Sequence, residues 1–332
     1  MLDVEIRKLE SGVVYWTRSG RIRASCGVAL EKPMSVTQLR RPGAADPPVR
    51  ITADTLLQKK QAHIPIVALT AYDYPTARLV DEAGIDLVLV GDSLAMVALG
   101  YDNTLPVTMD EMLHHTRAVA RGLRRAFLVA DMPYGSYHLS ELDGLSNALR
   151  FIKEAGAQAV KIEGGQPRAS LVRRMTDAEI PVVGHIGLTP QSVHRMGGYK
   201  VQGRTWEAYD RLCRDAEALE QAGAIAVVLE GIPRELATDI TSQLTIPTIG
   251  IGAGPECDGQ ILVFHDLFNL TFAPHAKFAR QYGDAVGFFS EALSRFRTDV
   301  SRREFPRDSE SYHLPREMRS ELELIEPAAR HG

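Results

Sequence analysis

Asp86-Leu-Val-Leu-Val-Gly-Asp-Ser93 is a short apolar run that stops on a glycine and then an acid. Asp92 shares the parity of Val88 and Val90, which on a strand would place all three on one face. The phrase recurs. Phe127–Asp131 reads Phe-Leu-Val-Ala-Asp, Ala157–Gly165 reads Ala-Gln-Ala-Val-Lys-Ile-Glu-Gly-Gly, and Ala226–Gly231 reads Ala-Val-Val-Leu-Glu-Gly. Four strands of buried type each deliver a carboxylate at the C-terminal end. That implies strands lying side by side with converging ends.

Outward from this stretch the pattern alternates. Strands are expected at 64–70, 86–90, 126–130, 157–162, 180–184, 224–229, 245–250 and 260–264. Helices are expected at 52–61, 74–83, 108–122, 140–155, 168–179, 206–222, 233–243 and 284–300. Thr52 or Asp54 serves as the first cap, and Thr108 with Glu111 has the form of a capping box. Gly84, Gly156 and Gly223 close three of the helices. Residues 93–107 and 187–203 read as long connections, and the last two strands are too close for a full helix between them. This period and length predict an α/β fold, a (β/α)8 TIM barrel. A doubly wound open sheet is the alternative, but it gathers ligand groups at one switch point from fewer strands.

The barrel is assigned to residues 49–306. Residues 1–48 have weak periodicity, end in the breaker-rich patch Arg41–Pro48, and read as a mostly irregular extension. Met34 opens Met-Ser-Val-Thr and offers an alternative start. Residues 307–332 read as a polar tail.

Composition excludes several classes. The chain has 332 residues, 45% hydrophobic and 24% charged, with a net charge of −4, so nothing points to nucleic acid. Three scattered cysteines, Cys26, Cys213 and Cys257, make neither a disulfide framework nor a zinc site and suit a reducing compartment. No apolar run reaches membrane-spanning length, and no signal-peptide pattern opens the chain. A cytoplasmic protein is expected.

Asp92, Asp131 and Glu163 fall on three consecutive strand ends. Adjacent strands lie roughly 5 Å apart, so the three carboxylates can meet around one ion. Oxygen ligands without Cys or His point to Mg2+ rather than Zn2+. Lys161 is two residues before Glu163 and shares its face. It can serve as a cation for a substrate carboxylate or enolate, as an ion-pair partner of Glu163, or as a Schiff-base lysine. Glu230 ends the sixth strand and suits a general base; a spectator acid is the other reading. His185, on the fifth strand, can contact substrate, orient Glu163, or be purely structural. Gly250-Ile-Gly-Ala-Gly254 offers a phosphate-type turn or simply a close approach of backbone.

At these residues the sequence resembles the ketopantoate hydroxymethyltransferase family. The matching motifs are Leu69-Thr-Ala-Tyr-Asp-Tyr74, Val90-Gly-Asp-Ser-Leu94, Leu105-Pro-Val-Thr108 and Val160-Lys-Ile-Glu-Gly-Gly165. Further along they are Gly184-His-Ile-Gly-Leu-Thr-Pro-Gln-Ser192, Gly197-Gly-Tyr-Lys-Val-Gln-Gly203 and Ile249-Gly-Ile-Gly-Ala-Gly254. Their order holds over residues 52–306. The resemblance implies a barrel of the phosphoenolpyruvate/pyruvate type. It implies transfer of a hydroxymethyl group from 5,10-methylenetetrahydrofolate to 2-oxoisovalerate, giving ketopantoate on the route to pantothenate and coenzyme A. It also implies Mg2+ on Asp92, Asp131 and Glu163, and a Mg-stabilised enolate. Substrate would be held by Asp92, Ser93, Asp131 and Lys161, with His185 a further contact and Glu230 the proton acceptor. Members of the family form ring-shaped homo-oligomers, often decamers.

Departures are confined to other positions: Ala95 stands where many members have Gly, Gly231 where larger residues occur, and the stretches 269–277 and 304–313 match loosely. The competing expectation is a Mg-dependent lyase or mutase of the same barrel superfamily. Such sites want arginines around the substrate, and the nearest are Arg195 and Arg204.

Overall fold

The computed structural model describes residues 5–9, 12–17, 20–21, 49–272 and 276–320. The chain divides into two compact units, residues 1–47 and 48–332. In the first, Glu5–Leu9 pairs antiparallel with Gly12–Thr17, with Leu9 opposite Gly12 and Glu5 opposite Trp16, and Gly20–Arg21 adds a third short strand. These short strands lie within the stretch expected to be mostly irregular, the rest of which lies outside the described residues. Val13-Val-Tyr-Trp-Thr17 is a run of β-branched and aromatic residues. Its apolar residues are consecutive rather than alternating, so no period-2 signal marks the strand. Met34 and the patch at 41–48 lie outside the described residues.

The second unit is a closed barrel of eight parallel strands. In chain order they are β1 (Ile66–Thr70), β2 (Leu87–Val90), β3 (Phe127–Asp131), β4 (Ala159–Glu163), β5 (Val182–Gly187), β6 (Ala226–Glu230), β7 (Thr248–Ile251) and β8 (Gly259–Leu262). β8 pairs with β1 and closes the ring. The helices are α1 (Ala53–Gln61), α2 (Tyr74–Glu82), α3 (Met109–Gly122), α4 (Glu141–Arg150), α5 (Ala169–Asp177), α6 (Trp206–Gln221), α7 (Arg234–Gln243) and α8 (Ala285–Ser301). The sequence signals for α1 and α3 are realised: Thr52 and Thr108 accept from the third helical N–H, each within a capping box.

Alternation along the strands makes two apolar layers. Leu87, Leu89, Phe127, Val129, Ala159 and Val228 belong to the barrel interior, which Ile51 and Leu56 of the α1 segment close at the N-terminal end. Val88 and Val90 belong to the outer layer beneath the helices. Asp92 therefore has outward parity, and the parity argument for it does not hold. The ladder of β2 ends at Val90, and the chain turns through Gly91 before Asp92 is reached. A Cβ at Gly91 would stand 2.8 Å from Ser93 Oγ.

Local departures are small. One-turn helices at Leu94–Val97 and Val193–Met196 and a 3-10 turn at Pro190–Ser192 interrupt connections expected to be irregular. Segments of three or four residues carry no readable period. α4 runs on as a π-helical turn, Phe151–Ala155, and stops at left-handed Gly156. In the expected tail, Asp308–Glu310 forms a 3-10 turn and 316–320 is helical; 321–332 lie outside the described residues. α8 buries none of its residues and exposes Phe288, Phe289, Leu293 and Phe296.

The N-terminal rim is held by acids. Asp86, 2% exposed, accepts from Lys59 of α1, from the Val67 N–H at 3.0 Å and from Arg125 at 3.0 Å. Asp81 caps the Arg124, Arg125 and Ala126 N–H groups, and Asp258 binds Lys60 and Thr248. Burial alone would raise the Asp86 carboxyl; the hydrogen bonds from Lys59, Val67 and Arg125 outweigh it and hold it below the usual range. Replacing Asp86 by Ala is expected to cost about 3 kcal/mol at pH 7, since a buried ion pair loses one partner while Lys59 and Arg125 keep some solvent. The stabilisation is present above the unfolded carboxylate pKa and is lost as pH falls through the depressed folded value. Denaturant titrations of both proteins at pH 7 and pH 3 should show a smaller gap at pH 3.

Candidate active site

The strand registers bring the expected residues to the C-terminal rim. Asp131 ends β3 opposite Lys161 of β4, Glu163 ends β4 opposite His185 of β5, and Glu230 ends β6 opposite Gly187. Gly187 is required there. Its φ is +94°, and a Cβ would stand 2.2 Å from the Glu230 carbonyl oxygen. This close approach of β5 and β6 brings His185 to Glu230.

Asp92, Asp131, Lys161, Glu163 and His185 are all buried, and the Glu230 side chain is 16% exposed. Lys161 Nζ stands 2.7 Å from Asp131 Oδ1, so its ion pair is with Asp131 rather than with Glu163. It also lies 3.1 Å from His185 Nδ1. The other oxygen of Asp131 accepts the Asp92 N–H at 3.0 Å. His185 Nδ1 is 3.5 Å from Glu163 Oε1, and its Nε2 is 3.2 Å from Glu230 Oε2, close but off the hydrogen-bond direction. Glu163 Oε1 is buried without a hydrogen-bond partner. Ser93 Oγ lies 2.8 Å from Tyr72 Oη.

Electrostatics follow from burial and crowding. Burial, then repulsion from Asp131 and Glu163, pushes Asp92 well above the usual carboxylate range. Burial also raises Asp131, against the pull of Lys161. For Lys161 burial favours the neutral amine, but the charges of Asp131, Glu163 and Asp92 outweigh it and keep the ammonium. Burial and Lys161 oppose a charge on His185; Glu163 and Glu230 prevail and push it up to about 9. The Lys161 contact uses the Nδ1 lone pair of a neutral ring and so conflicts with full protonation. A proton on Nε2, facing Glu230, is common to both states.

Two residues that sequence reasoning left without a role join this group. Gln191, beyond β5, donates from Nε2 to Asp92 Oδ2 at 2.9 Å and from its backbone N–H to Glu163 Oε2 at 3.0 Å. Tyr137 donates to Gln191 Oε1 at 2.6 Å and accepts the Glu163 N–H at 3.1 Å. Gln191 stood inside a quoted motif, but its partner Asp92 is 99 residues away and no local pattern announces the contact. The Gly250–Gly254 turn serves close packing: Cβ atoms at Gly252 and Gly254 would meet Phe278 and Arg234.

Asp92, Asp131, Lys161, Glu163, His185 and Glu230 all line one cavity of about 330 Å3 whose walls are largely apolar, among them Leu188, Val228, Ile251 and Phe278. No arginine is among the described residues lining it. Arg195, with Arg168 and Arg211, lines a larger cavity of about 580 Å3 that Glu163 also lines, while Lys161 and Glu230 are not among its described lining residues. As they stand, no three of the described His, Cys, Asp and Glu side chains enclose a metal position. Each acid has an oxygen engaged by Lys161, Gln191 or a backbone N–H. In donor type and charge, however, Asp92, Asp131 and Glu163 fit a hard divalent cation, and the orphaned Glu163 Oε1 is an acceptor in want of one.

Comparison with known proteins identifies the family. The profile of the family described as ketopantoate hydroxymethyltransferase matches residues 50–308. A 3-methyl-2-oxobutanoate hydroxymethyltransferase of Koribacter versatilis (strain Ellin345) is 65% identical over 277 residues, covering 83% of this chain and 94% of its own. One from Thermoanaerobacter sp. (strain X514) is 52% identical over 265 residues, covering 80% and 97%. Among solved structures, phosphonopyruvate hydrolase in complex with oxalate and Mg2+ superposes with a TM-score of 0.53 at 16% identity, covering 84% of this chain and 98% of its own. A 2,3-dimethylmalate lyase of the PEP mutase/isocitrate lyase superfamily gives 0.51 at 18%, covering 86% and 100%. At such identities these two share the fold alone. The profile runs from just before α1 to beyond α8, and relatives of 52–65% identity cover the same span: the chain belongs to the ketopantoate hydroxymethyltransferase family and is a transferase.

Proposed function

We propose that this enzyme transfers a hydroxymethyl group from 5,10-methylenetetrahydrofolate to 2-oxoisovalerate, giving ketopantoate for pantothenate and coenzyme A synthesis. The observation that most supports this reading is the sharing of one apolar-walled cavity by a carboxylate base, a charged lysine and three acids. Apolar walls suit the branched chain of the 2-oxo acid, and the charged floor suits its oxygens. The absence of arginine among the described lining residues speaks against a phosphorylated or dicarboxylic substrate.

Asp92, Asp131 and Glu163 are the residues to hold Mg2+, which when bound would supply Lewis-acid polarisation of the 2-oxo group. Ser93, by its hydroxyl and backbone N–H, holds the substrate carboxylate together with Asp92. Lys161, pinned by Asp131 and charged, faces the negative charge that builds on the substrate oxygen. Glu230 removes the C3 proton, with His185 Nε2 at 3.2 Å supporting its carboxylate. C3 then bonds to the one-carbon unit as one of that carbon's two bonds to folate nitrogen opens, water displaces the second nitrogen and supplies the hydroxyl, and the C3 proton and one from water pass to the two nitrogens.

The exposed phenylalanines of α8 suit burial against further copies of the chain, and we extend the proposal to a homo-oligomer, with a decamer as the expected size. Among the described residues no helix is long and apolar enough to cross a membrane. The free thiols of Cys213 and Cys257 suit a reducing cytoplasm.

Deuterium exchange at C3 of 2-oxoisovalerate, followed by NMR without folate, is expected to depend on Mg2+ and to stop on chelation. No exchange, and no ketopantoate after folate is added, would sink the proposal. Glu230→Gln is expected to lower turnover by at least roughly 100-fold while Mg2+ and 2-oxo acid still bind. Loss of metal binding instead would reassign Glu230 to the metal. Light scattering should give a particle near ten times the 36.5 kDa chain mass, and Phe288→Asp with Phe289→Asp should reduce it.

A further inference from the structure

We infer that Gln191 is a positioning residue that sets the relation of Asp92 to Glu163, with Tyr137 as its support. The inference rests on the proposed function for the purpose of the two acids, and on the hydrogen bonds for the rest.

The sheet alone does not fix the two carboxylates relative to each other. Glu163 is inside the ladder, opposite His185. Asp92 lies beyond its own ladder, which ends at Val90 opposite Ala130, and β3 stands between β2 and β4. Something must bridge the ends. Gln191, 5% exposed, does so from the 3-10 turn Pro190–Ser192. Its Nε2 donates to Asp92 Oδ2 at 2.9 Å and to the Met132 carbonyl at 3.0 Å. Its backbone N–H donates to Glu163 Oε2 at 3.0 Å.

The carboxamide has one sensible orientation. Turned over, it would set its oxygen against a carboxylate and a carbonyl, both acceptors. Oε1 instead receives the Tyr137 hydroxyl at 2.6 Å. Tyr137 in turn accepts the Glu163 N–H at 3.1 Å. Glu163 N–H, Tyr137 O–H and Gln191 N–H thus form a closed circuit of three hydrogen bonds, each group donating to the next residue. The circuit engages Glu163 Oε2 and leaves Oε1 free towards His185 and the cavity.

The test uses Gln191→Glu, Gln191→Leu and Tyr137→Phe in the full chain, with Mn2+ as probe. Gln191→Glu keeps shape and volume but puts an acceptor against Asp92 Oδ2. Mn2+ affinity, read by calorimetry, is expected to weaken roughly 10–100-fold in both Gln191 variants, as for other residues that orient ligating carboxylates. A smaller loss is expected in Tyr137→Phe, which keeps the Asp92 bond. kcat for hydroxymethyl transfer should fall with it, while KM for folate stays near the wild-type value. A folded Gln191→Glu with wild-type Mn2+ affinity and kcat would overturn the inference, even if Gln191→Leu melts early. Wild-type protein that takes up no Mn2+ would overturn the metal reading first, and this inference with it.

Discussion

Negative charge held out of water is the constraint around which the C-terminal end of this barrel is built. Asp92, Asp131 and Glu163 are buried together, Glu230 stands beside them, and among the described residues the only lysine lining the cavity is Lys161. Burial first, and then the repulsion of Asp131 and Glu163, holds the Asp92 carboxyl well above the usual range. The opposite rim uses the same residue type to the opposite end. There Asp86 is surrounded by two cations and a backbone N–H, and its carboxyl is held low. One end of the barrel satisfies its acids fully and gains stability. The other leaves an acceptor open and is ready for a ligand.

The division follows from strand geometry. A residue at a strand end and the residue two before it share a face, so β4 places Lys161 and Glu163 in the same cavity. Parallel pairing then sets Asp131 beside Lys161 and His185 beside Glu163 without help from loops. Groups on strands inherit the rigidity of the ladder, which preorganises charge before substrate arrives. Asp92 is the exception: it leaves the ladder and depends on hydrogen bonds from side chains distant in sequence.

What the sequence made legible was the part encoded locally. The apolar run plus acid marked β2, β3, β4 and β6, caps and glycines marked helix ends, and the repeat gave the barrel. Asp131, Lys161, Glu163, His185 and Glu230 came with the strands. Asp92 was found although its parity points outward, because the Gly91 turn, not the pleat, carries it inward. Gln191 and Tyr137 were not legible as a pair, since their partnership spans 54 residues and depends on how the loop after β5 folds over the rim. The π-helical turn at Phe151–Ala155 and the one-turn helices are too short for periodicity to register. The N-terminal hairpin lacks alternation.

α8 carries a consequence for how the protein comes to exist. Phe305 sets its ring 5.6 Å from that of Phe296, but among the described residues Phe288, Phe289 and Leu293 of the helix's phenylalanine face stay exposed. On the proposed homo-oligomer, the chain before assembly would be a folded particle with an adhesive side. Such surfaces collide productively or not according to concentration and temperature. On that proposal, recovery of enzyme would follow the pace at which chains meet their proper neighbours, a race that barrel stability alone does not win.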